Sequence, residues 1–363
     1  VDRALAGTLD GHAGHGKGFA GDKFELSLEP RGSKLDASLR QLLTRTSELP
    51  RSLHTHLGAG HPVTLLVGNH DAELLTETGR DALLSSLDLN HSAPLSVAPW
   101  FIRRGGVHVE HGHLYDPDNA PTHPLACWKE GTEPLGIALT RRFLVPSGAT
   151  YFAHAHQTTP LKGLLDAFIQ YGVNAPRIVY QYFHAAILLT LESRSTSPQA
   201  QLLKQERYVG HGRLQDFAES VGLEIQLLTE LLAGAVQPTH HDFSDTFMRL
   251  YFDRILCAVV GSLGSAALLP LSPPAALGLA LLASAYLVQS IALQGSRYSE
   301  APRERLRAAA ARVAATSGAD LVVFGHTHHE DEAPGYINSG SFAFGRQESH
   351  SCLVIEDGTA RRL

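Results

Sequence analysis

Four short clusters of side chains able to bind a metal punctuate this chain, each where an apolar run stops. Near the C-terminus Leu321-Val322-Val323-Phe324 runs into Gly325-His326-Thr327-His328. Two imidazoles at i, i+2 just past a strand face a common point once the chain turns, and histidine is the commonest transition-metal ligand. Upstream, the run from Val63 to Val67 leads into Gly68-Asn69-His70-Asp71. The run from Val107 to Glu110 leads into His111-Gly112-His113, with Asp116 close behind. A shorter run, Gly18-Phe19-Ala20, precedes Gly21-Asp22, and Glu25 stands three residues further on. Glycine lets the backbone turn sharply at each cluster. Donors at the ends of neighbouring strands are how a sheet builds one site from residues distant in sequence.

The elements that must position these donors read as an alternation of helices and strands, an α/β chain. A Leu-rich helix over residues 35–57 stops near Gly58 and Gly60. The Asn69 strand, a helix from Asp71 to Leu84 and the His111 strand follow. The strand pattern ends after Asp116-Pro117-Asp118-Asn119. It resumes with a helix from Arg303 to Thr316, stopped by Ser317-Gly318, which feeds the strand Leu321–Phe324. A final hairpin joins Cys352–Glu356 to Thr359–Leu363 through Asp357-Gly358, a favoured two-residue turn.

The ordered set Gly-Asp-x-x-Glu, Gly-Asn-His-Asp, His-Gly-His and Gly-His-Thr-His resembles the calcineurin-like metallophosphoesterases over residues 1–125 and 300–363. The resemblance implies a two-sheet α/β/β/α sandwich, split by an insertion over residues 126–299. It implies two divalent metal ions of Mn, Fe or Zn, manganese first, in mixed nitrogen and oxygen spheres. Asp22 would bridge both ions, Asn69, His111 and His326 would complete the second, and His328 would serve the first. His70 would sit beside the substrate phosphate. Members of the family open with a strand ending in Asp-x-His, and residues 1–18 read as the helix that follows it. That motif is therefore expected upstream of Val1, with Asp10-Gly11-His12 on the helix surface.

Composition narrows the classes. The chain has 363 residues, enough for a full core plus a large insertion or a second domain. Its net charge is −6 with no basic run, which argues against binding nucleic acid by a charged stripe. Cys127, Cys257 and Cys352 are scattered, with no CxxC pair, as in a reducing compartment. Gly11 to Gly18 nearly spells a phosphate loop, but it ends in glycine and follows a helix, and reads as a turn. His154-Ala155-His156 and His240-His241-Asp242 have ligand-like spacing but stand away from strand ends.

Between His111 and His326 the insertion reads as helical, with apolar residues at helical spacing over Leu161–Tyr171, Ile178–Leu191 and Leu214–Leu232. Within it, Ile255–Leu271 and Ala275–Leu293 are uncharged runs around Ser272-Pro273-Pro274. Such a pair reads as a helical hairpin over residues 255–293 that enters a bilayer, small residues letting its helices approach closely. The other reading is a buried helix pair in a soluble lid. Arg249, Arg254, Arg297, Arg303 and Arg305 flank the hairpin and would put the catalytic domain in the cytoplasm.

The function expected from these features is hydrolysis of a phosphoester by a metal-activated hydroxide. The substrate would be membrane-associated or amphiphilic, as the architectural likeness to UDP-2,3-diacylglucosamine hydrolases suggests. His70 would assist the leaving group, and Asp71 and Asp116 would orient imidazoles. The rival readings are a membrane-anchored binding or scaffold protein that keeps the fold, and a soluble nucleotide phosphodiesterase.

Overall fold

The computed structural model describes residues 48–129, 131–149, 152, 160–294, 302–340, 353–356 and 359–362. Asp22, the segment 1–18, His154, His156, Arg297 and Cys352 lie outside them. The chain is mixed α/β and rich in helix, with several small sheets. It falls into two compact units. The first runs to Ile137 and adds Gln201–Pro238 and the chain from Pro302; the second takes Ala138–Ala200 and Thr239–Ala301.

The first unit opens with α1 (Glu48–Gly58) and β1 (Val63–Leu66). A 3₁₀ turn over Ala72–Leu75 then leads to α2 (Glu77–Ser86). The single helix expected over 71–84 is thus broken, and Thr76 is the reason. Its backbone is extended at ψ 152, and its hydroxyl caps the new helix by accepting from the Gly79 N–H. The break fits only because residue 79 is glycine: a Cβ there would stand 2.0 Å from the Glu73 carbonyl oxygen. Strand β2 (Leu95–Ala98) pairs parallel with β1, and Leu53, Leu65, Leu83, Leu87 and Leu95 close a small core between these elements.

The main sheet begins with β3 (Phe101–Arg104) and β4 (Val107–Glu110). The chain returns to it after α3 (Leu135–Leu139), α4 (Val145–Ser147) and the helices described below. Its order is β3-β4-β5-β7-β6, where β5 is Leu321–Phe324, β6 Glu330–Ala333 and β7 Tyr336–Ser339. β4, β5 and β7 run parallel, and β3 and β6 close the two edges as antiparallel hairpins.

Alternation sorts the side chains of these strands onto two faces. Val107, Leu321 and Val323 meet Leu353 of a third sheet, the hairpin β8 (Leu353–Glu356) and β9 (Thr359–Arg362). Phe101, Val322 and Phe324 join the larger core on the other face. Two sources of helix complete that core. Leu306, Ala309, Ala310 and Val313 come from the helix Pro302–Ser317, and Leu214, Phe217, Leu228 and Leu231 from inside the stretch read as the insertion. Residues 201–238 therefore pack with the sheet.

In chain order the inserted helices are α5 (Pro160–Tyr171), α6 (Ala175–Glu192), α7 (Pro198–Gly212), α8 (Leu214–Val221) and α9 (Ile225–Ala233). The helix expected over 214–232 is two, because Gly222 takes a left-handed φ of 66 and ends the first. After them come α10 (Phe243–Arg249), α11 (Phe252–Leu268), α12 (Pro273–Gln294) and α13, the helix Pro302–Ser317. In the second unit α11 and α12 form the hairpin expected from the uncharged runs. His240 and His241 belong to a 3₁₀ turn there, and Asp242 caps α10 by accepting from the Asp245 N–H.

Helix α7 is tied to the loop after β4 by Glu206. One carboxylate oxygen accepts from the Thr132 hydroxyl and, at 3.2 Å, from the Lys129 N–H; the other accepts from the Thr122 hydroxyl at 3.5 Å. Burial pushes this carboxyl up to about 7, the donors only partly offsetting it. The folded chain therefore holds the proton more tightly than the unfolded one. The resulting stabilisation is full below about 4.5 and is lost as pH rises through about 7. At roughly 1.4 kcal/mol per pKa unit it amounts to about 3 kcal/mol. Urea unfolding across this window should show the wild type losing stability with rising pH, and Glu206→Gln losing about 3 kcal/mol less. Parallel curves would remove Glu206 as the cause.

Candidate metal centre

Asn69, His111 and His326 each follow the C-terminal end of a strand, respectively β1, β4 and β5. The turn after β1 is closed by the Asp71 carboxylate, which accepts from the Gly68 N–H at 3.3 Å. Asn69 is thereby buried, at 3% exposure. Gly68 lies against the His111 ring, where a Cβ would stand 2.7 Å from both Cδ2 and Nε2. No larger residue shares that space with the imidazole, so the loops after β1 and β4 meet at this pair.

His111 is followed by Gly112 at φ 98, whose missing Cβ clears Phe324 at 3.3 Å. The backbone then enters a 3₁₀ turn, His113–Tyr115. Nδ1 of His113 lies 3.0 Å from Nδ1 of His111, so one ring donates and the other accepts. The His326 ring centroid is 5.3 Å from that of His111 and 6.5 Å from that of His113.

The loop after β5 carries two non-glycine residues in the left-handed region, His326 at φ 66 and His328 at φ 56. Such backbone costs of order 1–3 kcal/mol per residue and persists where surrounding contacts hold it, a pattern concentrated at functional sites. Here the Gly325 N–H donates to the His111 carbonyl at 3.1 Å. The fully buried Asn338 amide donates to the Gly325 carbonyl at 2.6 Å.

A polar chain joins the first and last of these loops. The Asn69 amide donates to Asn119 Oδ1 at 3.0 Å, and the Asn119 amide donates to Asp116 Oδ2 at 2.8 Å. The same carboxylate oxygen lies 2.9 Å from His326 Nε2. Burial works to raise the Asp116 pKa. The hydrogen bond to His326 outweighs it, helped by the Asn119 amide and the Asp118 N–H, and holds the group well below the usual carboxylate range. At the two ends of this link Asn69 Oδ1 and His326 Nδ1 are buried and make no hydrogen bond. Each is a lone pair that a cation accepts, and buried polar atoms are otherwise satisfied in the great majority of cases.

Of the residues expected from sequence, the structure brings Asn69, His111 and His326 into one neighbourhood. His70 and His328 stand half-buried in the loops of Asn69 and His326. Among the described residues no three His, Cys, Asp or Glu side chains are grouped as a complete metal-binding set. Donor types and the two unsatisfied atoms therefore fit part of a coordination sphere, and Asp22 lies outside the described residues. The sequence placed His113 in the His-Gly-His cluster without a role of its own, and gave none to Asn119 or Asn338. Asn119 stood in the polar run Asp116-Pro117-Asp118-Asn119.

A scan against protein-family models finds no match. Searches of curated proteins and of solved structures find none either.

The close approach of Gly68 to His111 gives a direct test of this geometry. Gly68→Ala should push the imidazole from its seat and destabilise the fold by about 1–3 kcal/mol, the usual size of an overpacking penalty. Urea unfolding gives the energy, and His111 ring resonances report the displacement. Unchanged stability together with unchanged resonances would show that the ring does not sit over Gly68.

Proposed function

We propose that this chain is a metal-dependent phosphoesterase of the calcineurin-like type, anchored to a bilayer and acting on an amphiphilic phosphoester. The observation that carries the reading is the meeting of Asn69, His111 and His326 at strand ends, with lone pairs of Asn69 and His326 left unsatisfied in a buried place. On this reading Asn69, His111 and His326 would hold one cation, His328 would contribute to a second, and Asp22 would serve both. Two bound divalent ions would supply Lewis-acid activation of water and of the phosphoryl group. His70, adjacent to Asn69, donates a hydrogen bond or proton to the departing alkoxide. The finer fold reading, a two-sheet sandwich, is supported by the packing of β8 and β9 on one face of the main sheet.

The experiment is a phosphoester panel with added Mn²⁺ on a protein that includes any sequence upstream of Val1. Hydrolysis is expected, and His326→Ala and Asn69→Ala should weaken Mn²⁺ binding. His70→Ala should lower turnover by about 10²–10⁴-fold with bound Mn²⁺ unchanged. A protein that binds Mn²⁺ and leaves every phosphoester intact would be a binding or scaffold domain.

Anchoring rests on the hairpin. Pro273–Ala292 is a 20-residue window with mean hydropathy 1.8, of which 11% is buried. A bilayer core about 30 Å thick needs about 20 helical residues. The two helices approach closely at Gly261, where a Cβ would stand 2.4 Å from that of Ala283. Polar links gather at the open end: Arg254 donates to the Ser290 hydroxyl and carbonyl at 2.9 and 2.8 Å, and Tyr286 donates to Asp253 at 2.6 Å. The arginines flanking the hairpin in sequence favour a cytoplasmic catalytic domain.

Leu282 is mid-helix and 72% exposed. Leu282→Arg should cost about 2.5–3.5 kcal/mol on insertion scales and move the protein from the membrane to the soluble fraction, while Leu282→Ala should stay membrane-bound. A wild type found wholly in the soluble fraction without detergent would make the hairpin part of a soluble lid.

A further inference from the structure

We infer that Asp116 and Asn119 are positioning residues that dictate which atom Asn69 and His326 present to a cation, an inference that rests on the metal-site reading above. Hydrogen-bond polarity fixes those atoms. An ionised carboxylate can only accept. Asn119, 2.8 Å from Asp116 Oδ2 through its nitrogen, must therefore turn its NH₂ toward Asp116. That leaves Asn119 Oδ1 facing Asn69 at 3.0 Å, so Asn69 must offer its own NH₂ there and turn its Oδ1 away. On the other arm the ring nitrogen 2.9 Å from the same oxygen is Nε2 of His326, which must carry the proton. In the neutral ring Nδ1 then holds the lone pair.

The two atoms fixed in this way, Asn69 Oδ1 and His326 Nδ1, are both buried and make no hydrogen bond. Reversing the polarity of either arm would present an N–H, which no cation accepts. One carboxylate thus sets two ligands on separate loops, after β1 and after β5. The Asp118 N–H holds its other oxygen at 3.1 Å.

The two arms make the test specific. Mn²⁺ affinity is measured by titration, and the His326 tautomer by ¹⁵N ring shifts in metal-free protein. Metal-free wild type should show the Nε2–H tautomer. Asn119→Ala frees only the Asn69 arm, so it should weaken Mn²⁺ binding about 10–100-fold, the usual size of an outer-shell effect, while the His326 tautomer stays. Asp116→Ala should weaken binding at least as much and also lose the Nε2–H preference. A general loosening of the fold would move both readouts in both variants.

The inference is overturned if wild-type His326 is the Nδ1–H tautomer, or if Asn119→Ala binds Mn²⁺ as tightly as wild type. Should Asp116→Ala fail to fold, Asn119→Ala and the wild-type tautomer still decide. A wild type that binds no Mn²⁺ yet shows the Nε2–H tautomer overturns the metal-site reading while leaving the polarity of the relay measured.

Discussion

The parallel pairing of β4 with β5 is the constraint on which the site depends. Val107 pairs with Leu321 and Val109 with Val323, so the loops that carry His111 and His326 leave the sheet side by side. The Gly325 N–H bond to the His111 carbonyl continues that ladder one step beyond the strands. Everything between the two strands must leave and return without disturbing their register. Loop closure makes this tolerable, because its entropic cost grows only with the logarithm of length, about 0.6 kcal/mol per doubling. The inserted chain also reinforces the sheet, since Leu214, Phe217, Leu228 and Leu231 bury themselves in the same core as Leu306 and Phe324. A long insertion that contributes core residues to its host is held by the packing it adds.

Beneath the loop of His111 the core contains an ionisable network. Glu110, 2% exposed, accepts from Trp100 Nε1 at 3.2 Å and from the Tyr115 hydroxyl at 3.1 Å, and lies 3.2 Å from His108 Nε2. An unpaired carboxylate in such a place would cost several kcal/mol, whereas three polar neighbours on two oxygens offset most of that. The geometry has a consequence for the site. Tyr115 ends the 3₁₀ turn that begins at His113, so its bond to Glu110 pins the turn that follows His111 to the strand that precedes it. Burial, then the adjacent Glu110 charge, raises the Tyr115 pKa well above its ordinary value, which keeps the phenol a donor throughout the working pH range. His111 therefore stands between two fixed points, Gly68 below its ring and the Tyr115 anchor behind its backbone.

What could be read from sequence followed from how local each signal is. Strand β5 is a short apolar run and β1 nearly one, β4 alternates valine with His108 and Glu110, and the donors after these strands stand where glycine marks a sharp change of direction. Asn69, His111 and His326 were legible for that reason, and the hairpin β8–β9 for its Asp-Gly turn. Strands β3 and β6, Phe-Ile-Arg-Arg and Glu-Asp-Glu-Ala, carry too much charge to read as strands. They exist as edges because β4 and β7 offer them a ladder. The breaks at Thr76 and Gly222 were obscured by leucines that keep helical spacing across them. The roles of Asn119 and Asn338 were not legible because they arise only when loops distant in sequence meet: one amide completes the link from Asn69 to Asp116, the other holds the Gly325 carbonyl.

The second unit poses a different physical problem, because several of its helices turn apolar residues outward. On α5, Ala167 is buried at 2%, while Leu165, Phe168 and Ile169 are 56, 50 and 74% exposed. Those three belong to one stripe at helical spacing, the side that a soluble helix turns to its core. On α12 the exposed set includes Leu277, Leu281, Leu282, Val288 and Ile291, and on α11 it includes Leu256, Val260 and Leu263. Burying a leucine or isoleucine is worth about 1.5–3 kcal/mol, so leaving so many in water forgoes more than a domain's usual net stability of 5–15 kcal/mol. Such faces need an apolar surrounding. For α12, apolar around its whole circumference, the bilayer of the proposed reading would supply one on every side at once, whereas a protein partner would have to enclose it. The polar bonds of Arg254 and Asp253 join the two helices at the open end of the hairpin, the end that the proposed reading leaves at the membrane surface.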